Sequence, residues 1–156
     1  MLFAGTSSQA LANLVGNRYN LTMTDRYLIF VVDDLRTPLP GSEDGTIVVE
    51  LHRSLADGLA ALQGHGEAGT RIDELWLDHD LGYNPDVEFS YDTIMPLVEW
   101  LEEQAYHGNV LDIGHVYVHT ANYAAAPRMV AALRKHYAIS TAELPLAEVQ
   151  DYPDFL

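Results

Sequence analysis

The 156-residue sequence has no cysteine and a single lysine, Lys135. Without cysteine there is no disulfide framework, no thiolate metal site and no cysteine nucleophile, which fits an expected cytoplasmic setting. No apolar run approaches the roughly 20 residues of a membrane span. The stretch Met1 to Ala12 lacks the positive n-region of a signal peptide. Basic residues are scarce altogether: Lys plus Arg is 8 against 23 Asp plus Glu, for a formal net charge of −15. That balance argues against non-specific nucleic-acid binding and against docking on anionic membranes. The expected partner is neutral, cationic, or small enough to be held by a few positive groups in one pocket. Also missing are the G-x-x-x-x-G-K-[ST] phosphate loop, the G-x-G-x-x-G fingerprint and the G-x-S-x-G elbow.

What is present is a set of short apolar segments. Apolar residues make up 48% of the chain, enough for one packed domain. Tyr27 to Val32 is apolar on both faces, as a central strand of a parallel sheet would be. Thr46 to Leu51 reads as a second strand, Glu74 to Leu77 as a third and Ile113 to Val118 as a fourth. Ala138 to Thr141 reads as a last strand. Thr37 to Gly45, with two Pro and two Gly, reads as a loop, and no helical pattern links strands one and two. Ser54 with Asp57 marks a helix start, with Leu55, Leu59 and Leu62 as its stripe and Gly64, Gly66 and Gly69 ending it. A polar loop is expected up to Phe89, then a helix from Asp92 that Gly108 closes. Its stripe is Ile94, Leu97, Val98, Leu101 and Ala105. Pro127 reads as a first helical residue, followed by Met129, Val130, Leu133 and Tyr137. The expectation is a three-layer, receiver-like (flavodoxin-like) α/β sandwich with a mostly parallel sheet of four to five strands. Residues 23–144 form the domain, 1–22 an extension or helical arm with Leu11, Leu14 and Val15 in register, and 145–156 an acidic tail.

Three of these strands end in polar clusters: Asp33-Asp34-Leu35-Arg36, Asp78-His79-Asp80 and His119-Thr120-Ala121-Asn122. Each alone has a plain reading as a cap, a turn or a satisfied histidine. Together they matter, because parallel α/β sheets bind ligands outside the carboxyl ends of their strands. His52, His65, His107 and His136 read as surface residues.

Two family patterns resemble this arrangement. Response-regulator receiver domains carry an acidic pair after the first strand, an Asp after the third and a Thr or Ser after the fourth. Here these would be Asp33-Asp34, Asp78 or Asp80, and Thr120. They also need a Lys after the fifth strand, and Lys135 lies before the last strand. The chain is similar, more closely, to the receiver-derived cyclic-phosphate processing receiver domain family. That pattern reads D-D-x-R, then D-H-D-L-G, then a Y-D start to a helix carrying W-L, then H-[ST]-x-N and a later Met. Asp33-Asp34-Leu35-Arg36, Asp78 to Gly82, Tyr91-Asp92, Trp100-Leu101, His119 to Asn122 and Met129 match over roughly residues 27–137. Ser90 stands where the family has Gly, and Tyr123 to Ala126 replace a Pro- and Gly-containing turn. Many members are encoded by bacteria and phages.

The resemblance implies phosphoesterase-type processing of a cyclic phosphate on a nucleotide or RNA end. The alternative is a catalytically inactive module that senses a nucleotide or docks a protein. His79, His119, Asp78 and Asp80 are the candidate catalytic residues. Arg36, Thr120 and Asn122 would bind the phosphoryl group. Asp33, Asp34 and Asp78 would hold Mg²⁺, or else orient a histidine.

Overall fold

The computed structural model describes residues 26–84 and 90–147. Five strands form one sheet: β1 (Tyr27–Val32), β2 (Ile47–His52), β3 (Ile72–Leu77), β6 (Ile113–Val118) and β7 (Ile139–Thr141), in the order β2-β1-β3-β6-β7. Every pair is parallel, including β1 with β2 (Val31 opposite Leu51). The order reverses between β1 and β3, which makes the carboxyl ends of those two strands the place for a ligand. The mostly parallel, receiver-like expectation holds, and no helix lies between β1 and β2.

Three helices accompany the sheet: α1 (Leu55–Ala68), α2 (Met95–Tyr106) and α3 (Ala126–Leu133). Alternation along the strands decides where they sit. Leu28, Phe30 and Val32 of β1 join Leu75 and Leu77 of β3 and Val116 and Val118 of β6 in one cluster. Leu62 of α1, Leu97 and Leu101 of α2, and Met129 and Leu133 of α3 complete it. The opposite side chains, Ile29, Val31, Val49, Leu51, Trp76 and Tyr117, meet Ala142 and Leu144. Among the described residues no helix covers that second face.

Three local expectations need correction. α1 does not stop at Gly64 or Gly66. It runs to Ala68 and ends at Gly69, whose left-handed φ of 65° lets its N–H reach Gly66 O. Only that glycine adopts the conformation that terminates a helix; the others are tolerated within it. The segment after Asp78 is not a plain loop, because β4 (Asp80–Asn84) pairs antiparallel with β5 (Ser90–Thr93). Residues 85–89 lie outside the described part. Asp92 consequently belongs to β5, and α2 begins at Met95 with Pro96 in its first turn. α3 ends at Leu133; Tyr137 is still buried, and its hydroxyl accepts the Leu111 N–H at 3.2 Å.

Residues 1–22 lie outside the described residues, as do 148–156 of the tail. Pro145 to Ala147 are described, and Leu146 bridges Pro38 antiparallel. Among the described residues no helix is long and apolar enough to cross a membrane.

Candidate functional site

The D-D-x-R spacing folds back on itself. Oδ1 of Asp33 accepts the backbone N–H of Leu35 at 2.9 Å and of Arg36 at 2.7 Å. This turn leaves Asp33 buried at the end of β1 and returns the Arg36 side chain over it. Arg36 Nη1 donates to Asp33 Oδ2 at 3.4 Å and to the His119 carbonyl at 3.4 Å, and lies 3.7 Å from Asp78 Oδ2. One guanidinium therefore touches the ends of β1, β3 and β6. The peptide groups lock the three strand ends as well. The Asp78 N–H donates to Val32 O at 3.0 Å and the His119 N–H to Leu77 O at 2.9 Å.

Asp78 is buried, and that burial pushes its carboxyl above the usual carboxylate range. The Thr120 hydroxyl and the Arg36 charge oppose the rise, while the Asp33 charge adds to it. The His79 backbone N–H opposes the rise too, and the upward direction says that desolvation outweighs these favourable partners. Asp34 completes an acidic cluster, with one carboxylate oxygen each from Asp33, Asp34 and Asp78 within 4.8 Å of one another. Gly82, at φ 77°, makes room for it, because a Cβ there would stand 2.7 Å from Asp34 Oδ2. An all-oxygen donor set of this kind fits Mg²⁺ better than a softer metal.

His119 has a defined proton state. Its Nδ1 accepts the Leu144 N–H at 2.9 Å, and an amide cannot donate to a protonated nitrogen. The Ala142 carbonyl is also near Nδ1, at 3.3 Å. The shorter contact has an unambiguous donor, so Nδ1 is the acceptor and the proton sits on Nε2. Nε2 is buried and has no hydrogen-bond partner; it stands 3.9 Å from Asp33 Oδ2. Burial, then the nearby Arg36 charge, holds the imidazole below its usual pKa, against the pull of Ala142 O, Asp33 and Asp78.

His79 and Asp80 form a second group. His79 is buried, and its Nδ1 lies 2.7 Å from Asp80 Oδ1 on an exposed side chain. Asn122 Nδ2 lies 3.3 Å from Asp80 Oδ2, and Asn122 Oδ1 accepts the Ala125 N–H at 3.1 Å, which fixes the loop before α3. Thr120 joins the two groups: its hydroxyl bonds Asp78, and its oxygen accepts the Asn122 N–H at 3.1 Å. Arg36, His119 and Thr120 line an open cavity of about 590 Å³ together with Tyr123, Leu144 and Leu146. The acidic cluster, His79 and Asn122 do not line it. A cavity of about 650 Å³ beside Gln63, Trp100 and Gln104 shares none of these residues.

Sequence reasoning missed two contributors. Arg53, just after β2, donates from Nη1 to Arg36 O at 2.7 Å and Asp33 O at 3.3 Å, and from Nη2 to Thr37 Oγ1 at 2.9 Å. The same strand-end rule that found the other clusters also covers the end of β2. The Leu144 amide is the second, and no side-chain pattern can reveal a backbone donor.

Residues 28–135 match the family model of the cyclic-phosphate processing receiver domain. No curated protein and no solved structure matches the chain.

Proposed function

The chain belongs to the cyclic-phosphate processing receiver domain family, and on that premise we propose that its strand-end crevice hydrolyses a cyclic phosphodiester on a nucleotide or RNA end. The observation that carries this reading is the convergence of Asp33, Arg36, Asp78 and His119 on one point, with a buried Nε2–H of His119 left unpaired.

In the reaction a water oxygen bonds phosphorus, one ring P–O bond breaks in line with it, and a phosphomonoester leaves. One proton must leave the water and one must reach the departing oxygen. The two histidines are polarised in opposite senses. His79 Nδ1 faces the Asp80 carboxylate and donates to it, which leaves Nε2 as the acceptor and suits a base held by a carboxylate. His119, neutral with its proton on Nε2, suits a hydrogen-bond donor to a phosphoryl or departing oxygen, while the proton that His79 takes from the water is the one passed to the departing oxygen. Arg36 supplies two N–H groups for phosphoryl oxygens, and Asn122 adds an amide. Asp33, Asp34 and Asp78 would hold Mg²⁺, which supplies charge neutralisation for an anionic substrate when bound.

The test is turnover of 2′,3′- and 3′,5′-cyclic nucleotides with and without Mg²⁺. Hydrolysis to the monoester is expected, falling about 10²-fold or more in His79→Ala and His119→Ala. Saturable nucleotide binding with no turnover in any condition would instead identify a sensing module.

A further inference from the structure

The face of the sheet opposite the helices is apolar; Val31 and Trp76 at its centre are buried, but its β1–β2 side is only partly covered. Ile29, Val49 and Leu51 are half-buried, Tyr27 is 43% exposed and Ile47 41% exposed. Trp76, itself buried, stacks on Tyr117 at 4.3 Å on the β6 side of this face. From outside the strands only Ala142 and Leu144 pack there among the described residues. Parallel sheets are almost always covered on both faces, since their strands are apolar on both.

We propose that residues 1–22 of this chain dock on this face through Leu11, Leu14 and Val15. Reach permits it. Residues 16–25 span up to about 33 Å when extended, against about 20 Å for a six-residue strand such as β1. A segment ahead of Gly16 can therefore fold back along β1, the strand it leads into. Its pattern suits the task, because Leu11, Leu14 and Val15 fall on one side of a helix. Charge points the same way. In a chain of net charge −15, the first acid is Asp25, and Arg18 is the one charged side chain before it. The amino end of the face carries Glu74, held by Tyr27 at 2.8 Å and by Trp76 at 2.7 Å. The other terminal segment is a worse occupant. Residues 148–156 contain Glu148, Asp151 and Asp154, and are broken by Pro153.

The absence of native cysteine makes the test direct. In the full chain, the thiol of Val49→Cys reports on the face, and that of Ala60→Cys, exposed on α1, is the reference. Val49→Cys is expected to react with a thiol reagent about tenfold more slowly than the reference, and Leu11→Asp with Leu14→Asp to raise the Val49→Cys rate several-fold. The reference rate and the circular dichroism stay unchanged. Equal Val49→Cys rates with and without the aspartates would overturn the proposal. So would protection that vanishes on dilution together with a sedimenting dimer, which would assign the face to a second copy. Should the aspartates unfold the chain, Leu14→Cys with Val49→Cys decides: a bismaleimide cross-link within the monomer supports docking, and its absence overturns it.

Discussion

The backbone N–H of Leu144 points into Nδ1 of His119 at 2.9 Å and thereby fixes the imidazole as the Nε2–H tautomer. A residue just past the last strand thus sets which ring nitrogen can donate inside the crevice. Protonating the ring would turn Nδ1 into a donor, cost the Leu144 bond and leave only Ala142 O as its partner.

That arrangement has a pH signature. Because the folded-state pKa of His119 lies below its ordinary 6.5, the unfolded chain binds more protons between the two values. The stability that His119 contributes is present above about pH 6.5 and is lost as pH falls through the folded pKa. Chemical denaturation from pH 8 to 5 should show the loss, and His119→Gln should flatten it.

Asp78→Asn should separate stability from activity. The raised carboxyl pKa means that ionised Asp78 destabilises the fold, with stability falling as pH rises from the ordinary value through the raised one. At neutral pH the amide should raise Tm by about 2–4 °C per kcal/mol relieved, while turnover falls about 10²-fold or more. A lower Tm would show that the Arg36 and Thr120 contacts outweigh desolvation after all.

Arg53→Ala removes three hydrogen bonds that hold the Asp33–Thr37 turn. The guanidinium is exposed, so the loss should be modest, about 1–2 kcal/mol in urea denaturation. The sharper effect should fall on KM for the cyclic nucleotide, because Arg36 rides on that turn. Arg53→Lys should rescue little, since one ammonium cannot span two carbonyls and a hydroxyl.

Mg²⁺ should stabilise the native chain through Asp33, Asp34 and Asp78. At ten times Kd the gain is about 1.4 kcal/mol, visible as a higher Tm than in EDTA. Asp34→Asn should abolish most of the shift. Identical melting of the native chain in Mg²⁺ and EDTA would mean that Arg36 alone balances the cluster.

Apolar strands and their polar ends were legible because alternation and β-branched runs are local signals. Tyr27 to Val32 shows both a central strand and the acids that follow it. The β4–β5 hairpin was not legible, because Asp80 to Asn84 reads as polar turn chemistry and its strand character comes from pairing with Ser90 to Thr93. The meeting of His119 with Asp33 depends on register between strands, which residue order does not encode. The opposite proton placement on His79 and His119 came from a carboxylate and a backbone amide, and only the second lay beyond the motifs.

The stretch from Ala142 to Ala147 acts as a clasp. Leu144 grips His119, while the Pro145 carbonyl accepts the Leu39 N–H at 3.0 Å and the Ala147 N–H reaches the Thr37 carbonyl at 3.1 Å. One short run of backbone therefore fastens both the histidine side of the crevice and the loop that carries Arg36. Displacing this stretch would therefore loosen both sides of the crevice together.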